Sequence, residues 1–282
     1  MKLVLLILIT LGITKAFANS DNGKQAAEEQ PAQYTFGVVP QQSAFRLAQM
    51  WTPLLAHLSA ETGLSLSFIT AKDIPSFEDE LTRASYDLAY MNPYHYVVFH
   101  SRADYQPLVR DSEKGLRGII VTRKDSNITN IEQLQGSTLA FPAPAAFAAS
   151  IIPRAELNRA GISINPRYVN SHDSVYLNVI KELFVAGGGI IRSLEHLPES
   201  QRSQLKILWQ SKAYTSHAIA AHSRVPLAHQ QLLTAAFEKL VTTEQGRALL
   251  KQLNFNRLDA AADKDWNDIR ALGINSLSRP DY

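Results

Sequence analysis

The chain of 282 residues contains no cysteine. Disulfide bonds and thiol chemistry are therefore excluded, and so is a lipid anchor on an N-terminal cysteine. The sequence also lacks a marked excess of either charge, with 28 lysines and arginines against 26 aspartates and glutamates. A general affinity for nucleic acid or for anionic membranes requires a basic surplus, so neither partner is expected.

A long hydrophobic run occurs only at the N-terminus. Lys2 precedes the apolar stretch 3–14, and Ala16-Phe17-Ala18 has the small-x-small form of a cleavage site. The run is too short for a comfortable membrane span. We interpret residues 1–18 as the cleaved signal peptide of a periplasmic protein, and residues 19–33 as a disordered leader. Cleavage removes two of the 28 basic residues and none of the 26 acidic ones, so the mature net charge is zero.

From residue 34 onward, strand-like and helix-like segments alternate. This alternation predicts an α/β fold with mostly parallel sheets covered by helices on both faces. The patterns indicate about ten strands, too many for one open sheet in this order. We therefore expect two lobes joined by crossing strands. Lobe one comprises residues 34–118 and 213–282, and lobe two comprises residues 119–212.

The segment 86–96 is the most informative part of the chain. A short apolar strand, Leu88 to Met91, stops at Asn92-Pro93. Asparagine is a good helix N-cap and proline is favoured at the first helical position, so a strand is predicted to run directly into a helix. Ligands in α/β folds bind at such strand ends, where the N–H groups of the following helix lack partners.

The other predicted strand ends have a similar character, with aromatic rings, hydroxyls and histidines but few full charges. They favour a small ligand held by helix termini, hydroxyls and rings. The residues that we expect to contact the ligand are Gln41, Ser43, Tyr90, Asn92, Tyr94, His95, Ala145, Phe147, His172, Asp173, Tyr176, Tyr214 and His217. For each histidine, a structural role and direct ligand contact both remain open.

Enzyme and metal signatures are missing from the sequence. Ser171, His172 and Asp173 are the three residue types of a catalytic triad, but sequence neighbours cannot act as nucleophile, base and orienter. They are more simply the entry to a helix. His95, His172 and His217 lack a carboxylate or a second histidine at ligand spacing, so no metal site and no cofactor are expected.

The order of these elements resembles that of a type II periplasmic binding protein. More narrowly, it is similar to the phosphate/phosphite/phosphonate-binding family of ABC-transporter solute receptors. The similarity covers residues 34–253 and depends on the order of several short motifs, namely Trp51-Thr52-Pro53-Leu54-Leu55, Tyr86-Asp87-Leu88-Ala89-Tyr90, Val121-Thr122-Arg123-Lys124-Asp125-Ser126, Phe141-Pro142-Ala143-Pro144 and Ser171-His172-Asp173. The resemblance implies that His172 and Asp173 face the ligand.

The chain departs from this family in two places. Family members that bind phosphonate carry a Ser-Thr-Ser cluster after the Pro144 position, whereas this chain has Ala145-Ala146-Phe147-Ala148-Ala149. The acidic residue usual in a later strand is also absent, and Phe184 is expected at its position. Each hydroxyl lost to an anion forfeits roughly 1.5–3 kcal/mol. We therefore expect a ligand that is more weakly charged, smaller or partly apolar.

Two functions are compatible with this sequence. The first is a monomeric periplasmic solute-binding protein whose lobes close on a small, anionic ligand and deliver it to the permease of an ABC transporter. The second is a ligand sensor that signals to a membrane histidine kinase. An enzyme on the same fold is the least favoured reading, because no nucleophile or acid–base pair is evident.

Overall fold

The first of two sheets contains six strands drawn from both ends of the chain. In the computed structural model, which describes residues 31–275 and 277, the order is β11-β4-β10-β3-β1-β2. The strands are β1 (Gln33–Val38), β2 (Ser65–Thr70), β3 (Leu88–Met91), β4 (Tyr105–Asp111), β10 (Ala218–His222) and β11 (Leu258–Ala260). The strands β1, β2 and β3 are parallel, and β10 lies antiparallel between β3 and β4.

The second sheet contains five strands from the middle of the chain. Their order is β7-β6-β8-β5-β9. The strands are β5 (Gly118–Arg123), β6 (Thr138–Phe141), β7 (Asn165–Tyr168), β8 (Ala186–Ile190) and β9 (Leu205–Gln210). The strands β6, β7 and β8 are parallel, whereas β5 runs antiparallel to β8 and β9.

Two segments connect the sheets and fix the architecture. The chain leaves the first sheet after β4 and returns to it at β10, and the two connections meet at an antiparallel bridge between Leu116 and Tyr214. This two-lobed α/β arrangement confirms the predicted fold class. The sheets are mixed because the strands next to the crossings, β5 and β10, run against their neighbours. The exact limits of the two lobes remain a prediction.

Helices cover both sheets. They are α1 (Ala44–Thr62), α2 (Ile74–Thr82), α3 (Pro93–Ala103), α4 (Ile152–Arg159), α5 (His172–Ile180), α6 (Ile191–Glu195), α7 (Glu199–Arg202), α8 (Leu227–Lys239), α9 (Glu244–Gln252) and α10 (Asn267–Arg270). The predicted start of α3 is confirmed, since the Asn92 side chain accepts from the His95 N–H at 2.8 Å and Pro93 opens the helix. None of the described helices is long and apolar enough to cross a membrane. The predicted signal peptide and most of the predicted leader lie outside the described residues.

One predicted helix begins differently from expectation. The sequence predicts one helix over 145–160, but the structure has a wide π-helical turn at Phe147–Ile151 that leads directly into α4. This turn presses its backbone onto the second sheet at two glycines. A Cβ on Gly118 would lie 2.1 Å from the Ala148 carbonyl oxygen, and one on Gly188 would lie 2.0 Å from that of Ala149. Only glycine permits such an approach.

Replacement of Gly188 should therefore be costly. The Gly188→Ala substitution places a methyl group against the backbone oxygen of Ala149, which cannot rotate away, so we expect a loss of about 3 kcal/mol or more, the upper range for overpacking. Urea unfolding measures the effect. Gly161→Ala is a suitable control, because its Cβ would meet nothing within 4 Å and its positive φ should cost only about 1–2 kcal/mol. Equal losses in the two variants would contradict the packing argument.

Candidate functional site

A small cavity lies between the carboxyl ends of the strands of the two sheets. Only about 10 Å³ is open to the centre of a water-sized sphere, close to the minimum space for one water molecule. The polar residues that line the cavity are Gln41, Asn92, His172 and His217, and the apolar residues are Val39, Ile74, Leu116, Ala146, Phe147, Ala148, Ala149 and Ile190. The two lobes are therefore closed around the position where a ligand is expected.

The start of the π-helical turn supplies the main group of hydrogen-bond donors. The backbone N–H groups of Phe147, Ala148 and Ala149 have no acceptor among the described residues, and all three residues are buried and line the cavity. The carbonyl oxygens of Ala148 and Ala149 lie against the second sheet at Gly118 and Gly188, so the N–H groups of these two residues point away from that sheet. Three unpaired buried donors at a helix N-terminus make a site for an acceptor atom, and the helix dipole favours negative charge there.

Asn92 brings the two lobes together at this cavity. Its side-chain oxygen caps α3, and its amide nitrogen donates to the Ala145 carbonyl oxygen at 3.4 Å. A backbone contact also crosses the seam, by which we mean the boundary where the two lobes meet. The His172 N–H donates to the Gln41 carbonyl oxygen at 3.0 Å. Both contacts join the first sheet's side of the cavity to the second sheet's side.

His217 forms one wall of the cavity in the neutral state. Burial, reinforced by the nearby Arg192 charge, holds the pKa of His217 well below its usual range. The Gln41 amide nitrogen lies 2.9 Å from His217 Nε2 and can only donate to it, so the ring proton is on Nδ1. The His217 Nδ1 atom is buried without a partner. The Tyr90 ring stacks on the imidazole at a centroid distance of 4.9 Å.

His172 forms another wall and is likewise neutral. Burial lowers the pKa of His172 to about 3. Its Nδ1 lies 3.0 Å from Ser193 Oγ, which lies 2.7 Å from the hydroxyl of Tyr176. Tyr176 thus holds the imidazole in place through the Ser193 hydroxyl, and Tyr176 itself does not line the cavity. The cavity walls carry donors and dipoles but no charged side chain.

Seven further predicted residues lie away from the cavity lining. Two of them contact lining residues, since Tyr90 stacks on His217 and the Ala145 carbonyl oxygen accepts from Asn92. Ser43 is exposed and caps α1. The Tyr94 hydroxyl bonds to the backbone of Ile274 and Leu277 in the C-terminal segment. His95 is buried against Glu78, with Nε2 3.0 Å from the carboxylate oxygen.

The other two lie at the rim of the closed seam. The Asp173 carboxylate lies 3.8 Å from Arg46, and burial raises the pKa of Asp173. Tyr214 packs edge-on against the Phe147 ring at 5.3 Å. Asp173 therefore pairs with Arg46 and Tyr214 packs on Phe147, but neither residue lines the cavity.

The expectation that Phe184 occupies the ligand-facing position of a later strand needs correction. Phe184 precedes β8 and packs with the core of the second sheet, whereas the residue of that strand at the cavity is Ile190. The reason is geometric, because ligands lie at the carboxyl end of a parallel strand and Ile190 is the last residue of β8. Sequence reasoning also missed Val39, Ile74 and Leu116, since apolar cleft residues look like core residues in a sequence.

Arg192 is a further residue that the sequence did not single out. It lies in α6 on the second sheet's side, and its guanidinium donates to the hydroxyl of Tyr90 and lies 4.5 Å from the centroid of the Phe255 ring. It therefore joins the two lobes beside the cavity. Within the described residues, no cluster of three or more histidines, aspartates or glutamates could hold a metal ion.

Comparison with known proteins identifies the family. The profile described as "ABC transporter, phosphonate, periplasmic substrate-binding protein" matches residues 36–266. The chain belongs to this family of periplasmic substrate-binding proteins. Members of the family bind substrates for ABC transporters and are not enzymes.

Curated relatives and solved structures agree with this assignment. The chain is 23% identical to the "Phosphate-import protein PhnD" of Mycolicibacterium smegmatis over 96% of its length and 89% of the relative. It is 22% identical to the "Phosphonates-binding periplasmic protein" of Escherichia coli over 95% of its length and 84% of the relative.

Two solved structures share the fold. A binding-protein component of an ABC phosphonate transporter from Pseudomonas aeruginosa superposes with a TM-score of 0.80 at 18% identity, over 88% of this chain and 87% of that one. PhnD1 of Prochlorococcus marinus in complex with methylphosphonate gives a TM-score of 0.78 at 18% identity, over 89% and 100% of the two chains.

The neutral histidines predict a loss of stability in acid. His172 has a folded-state pKa of about 3, below the value of about 6.5 for an unfolded chain. The unfolded state therefore binds a proton that the folded state rejects as the pH falls below 6.5. Between pH 7 and pH 5 this histidine alone should remove about 2 kcal/mol of unfolding free energy.

Denaturant unfolding at several pH values measures this slope. The His172→Asn variant should lose less stability between pH 7 and pH 5 than the wild type. His57→Asn leaves the cleft histidines in place and should retain the wild-type slope. An unchanged slope in His172→Asn would show that His172 titrates normally in the folded protein.

Proposed function

We propose that this protein captures a small ligand with an anionic head group in the cavity between its lobes and delivers it to the permease of an ABC transporter. The observation that carries the proposal is the set of unpaired, buried N–H groups at Phe147–Ala149. Such donors are costly to bury without an acceptor. A bound anion supplies the acceptor, and release to the permease then requires the lobes to open.

The side chains around these N–H groups indicate how the ligand differs from the phosphorus oxyanions named in relatives. Ala145 and the alanines on either side of Phe147 offer no hydroxyl donors, and the Phe147 ring is buried at the cavity with 1% of its surface exposed. Ile190 adds a second apolar wall. A fully charged tetrahedral dianion would lose several charge-assisted hydrogen bonds here, each worth about 1.5–3 kcal/mol. A singly charged head group joined to an apolar part fits these walls better.

The cellular setting of the proposal follows from the sequence. Export by a signal peptide cleaved after Ala18 would place the mature chain, which we expect to be a monomer, in the periplasm. The family to which the chain belongs is periplasmic. The closed form would be the one that docks on the permease, since only closure brings both lobes into a single surface.

A thermal-shift screen of the mature chain tests the ligand class. The panel contains phosphate, methylphosphonate, sulfate, acetate and propionate. At one hundred times its dissociation constant, a bound ligand should add about 2.7 kcal/mol of stability. We expect a singly charged anion to stabilise the protein more than phosphate or sulfate does. A response to phosphate alone would contradict the argument from Phe147 and Ile190.

A substitution at Asn92 tests the sign of the ligand's charge. Asn92→Asp retains a side-chain oxygen for the α3 cap but replaces the amide donor at the cavity with a carboxylate. Affinity for an anion identified in the screen should fall by about tenfold or more, because a donor is lost and a like charge is introduced. Isothermal titration calorimetry measures the change.

Tyr94→Phe is the matched control for this experiment. The Tyr94 hydroxyl bonds to the C-terminal segment and Tyr94 is not a lining residue of the cavity, so the variant should lose stability but retain its affinity. Tighter anion binding by Asn92→Asp, or weaker binding by Tyr94→Phe at constant fold, would place the ligand elsewhere.

A further inference from the structure

A second cavity lies beside the first and has no role in the proposed function. The two cavities share Val39 and Gln41 as wall residues. About 20 Å³ of the second cavity is open to the centre of a water-sized sphere, enough for one water molecule or one small ion. The other residues that matter here are Gln42, Trp51, Arg192 and His196.

Three buried nitrogen atoms on this cavity have no hydrogen-bond partner among the described residues. They are Gln42 Nε2, Arg192 Nε and His196 Nε2. Gln42 has only 5% of its surface exposed. The amide nitrogen and the guanidinium nitrogen can only donate, so their shared occupant must be an acceptor. A cation is thereby excluded from the cavity.

His196 can serve as the third donor. Burial, together with the charges of Arg192, Arg46 and Lys114, lowers the pKa of His196 to about 4, although Glu195 opposes the shift. A neutral imidazole carries one N–H, and an acceptor in the cavity would select the tautomer with the proton on Nε2. The three residues line one cavity but come from two different lobes, since Gln42 precedes α1 and the other two follow β8.

The charge of Arg192 is only partly offset by its surroundings. The nearest carboxylate, that of Asp111, lies 3.9 Å away. This carboxylate already accepts the backbone N–H groups of Glu113, Lys114 and Asn256 at 3.2, 3.0 and 3.1 Å. The Arg192 Nε–H group therefore remains available for another anion. The guanidinium face is covered by the Phe255 ring, and Arg192 lines the second cavity with its Nε buried and unpaired.

We propose that the second cavity is an anion subsite in which Gln42, Arg192 and His196 donate to one singly charged anionic group. The group is either a free inorganic anion or an acid group on the captured ligand. Only the latter source depends on the proposed function. In that case the ligand is a small molecule with two acidic ends, because the two cavities adjoin at Val39 and Gln41. One acidic end is held at Phe147–Ala149 and the other at Arg192.

Bromide is a suitable probe, because Trp51 lines the second cavity and reports on its occupant by fluorescence. The mature protein is titrated with sodium bromide at constant ionic strength, held with gluconate, whose anion is too large for the cavity. We expect a saturable fluorescence change that disappears in Trp51→Phe. Affinity should fall by about tenfold or more in Arg192→Gln and by about fivefold in Gln42→Leu, because one charged and one neutral hydrogen bond are lost.

Arg46→Gln is the matched control. Arg46 also crosses the seam, donating to the His196 carbonyl oxygen at 3.1 Å, but it does not line the cavity. This variant should bind bromide as the wild type does, which separates the subsite from a general loosening of the seam. A linear, non-saturating response would mean that the cavity holds only water and would overturn the proposal. So would a bromide affinity in Arg192→Gln and Gln42→Leu equal to that of the wild type.

A pair of carboxylates distinguishes the two sources. If the subsite holds an acid group of the ligand, malonate should bind about tenfold tighter than acetate, lose this advantage in Arg192→Gln, and compete with bromide. If it holds a free anion, bromide and acetate should bind together and malonate should show no advantage. Failure of both carboxylates to bind would count against the proposed ligand class alone, since the bromide titration decides the subsite independently.

Discussion

The close approach of a helical turn to a sheet determines the rest of this candidate site. The π-helical turn at Phe147–Ile151 can reach the second sheet only because Gly118 and Gly188 lack side chains. This contact places the Ala148 and Ala149 carbonyl oxygens against the sheet, and the residues whose N–H groups lack acceptors line the cavity. The ring of Phe147 is carried into the cavity by the same turn. Donors and apolar wall therefore share one structural origin.

Much of the fold could be predicted from sequence because its signals are local. Asn92-Pro93 marks a strand that ends in a capped helix, and the structure contains that junction. The separation into two sheets follows from counting strands. The short strand β11 was missed, because three residues from 258 to 260 carry no usable periodicity.

The candidate site was less predictable, since its contents depend on which side of each element faces the cleft. Tyr94 and His95 follow Asn92 directly, yet the rotation of α3 turns one toward the C-terminal segment and the other toward Glu78. Arg192 looks like an ordinary helical arginine in the sequence. Its position across the seam depends on the docking of two lobes, which no local pattern encodes.

The hydrogen bond from the His172 N–H to the Gln41 carbonyl has a consequence for how such receptors diversify. A main-chain contact between lobes is indifferent to which side chains occupy those positions. The contact that joins the two lobes can thus be kept while the side chains that line the cleft change. Substitutions in the cleft can alter which molecule fits there without altering the arrangement of the lobes.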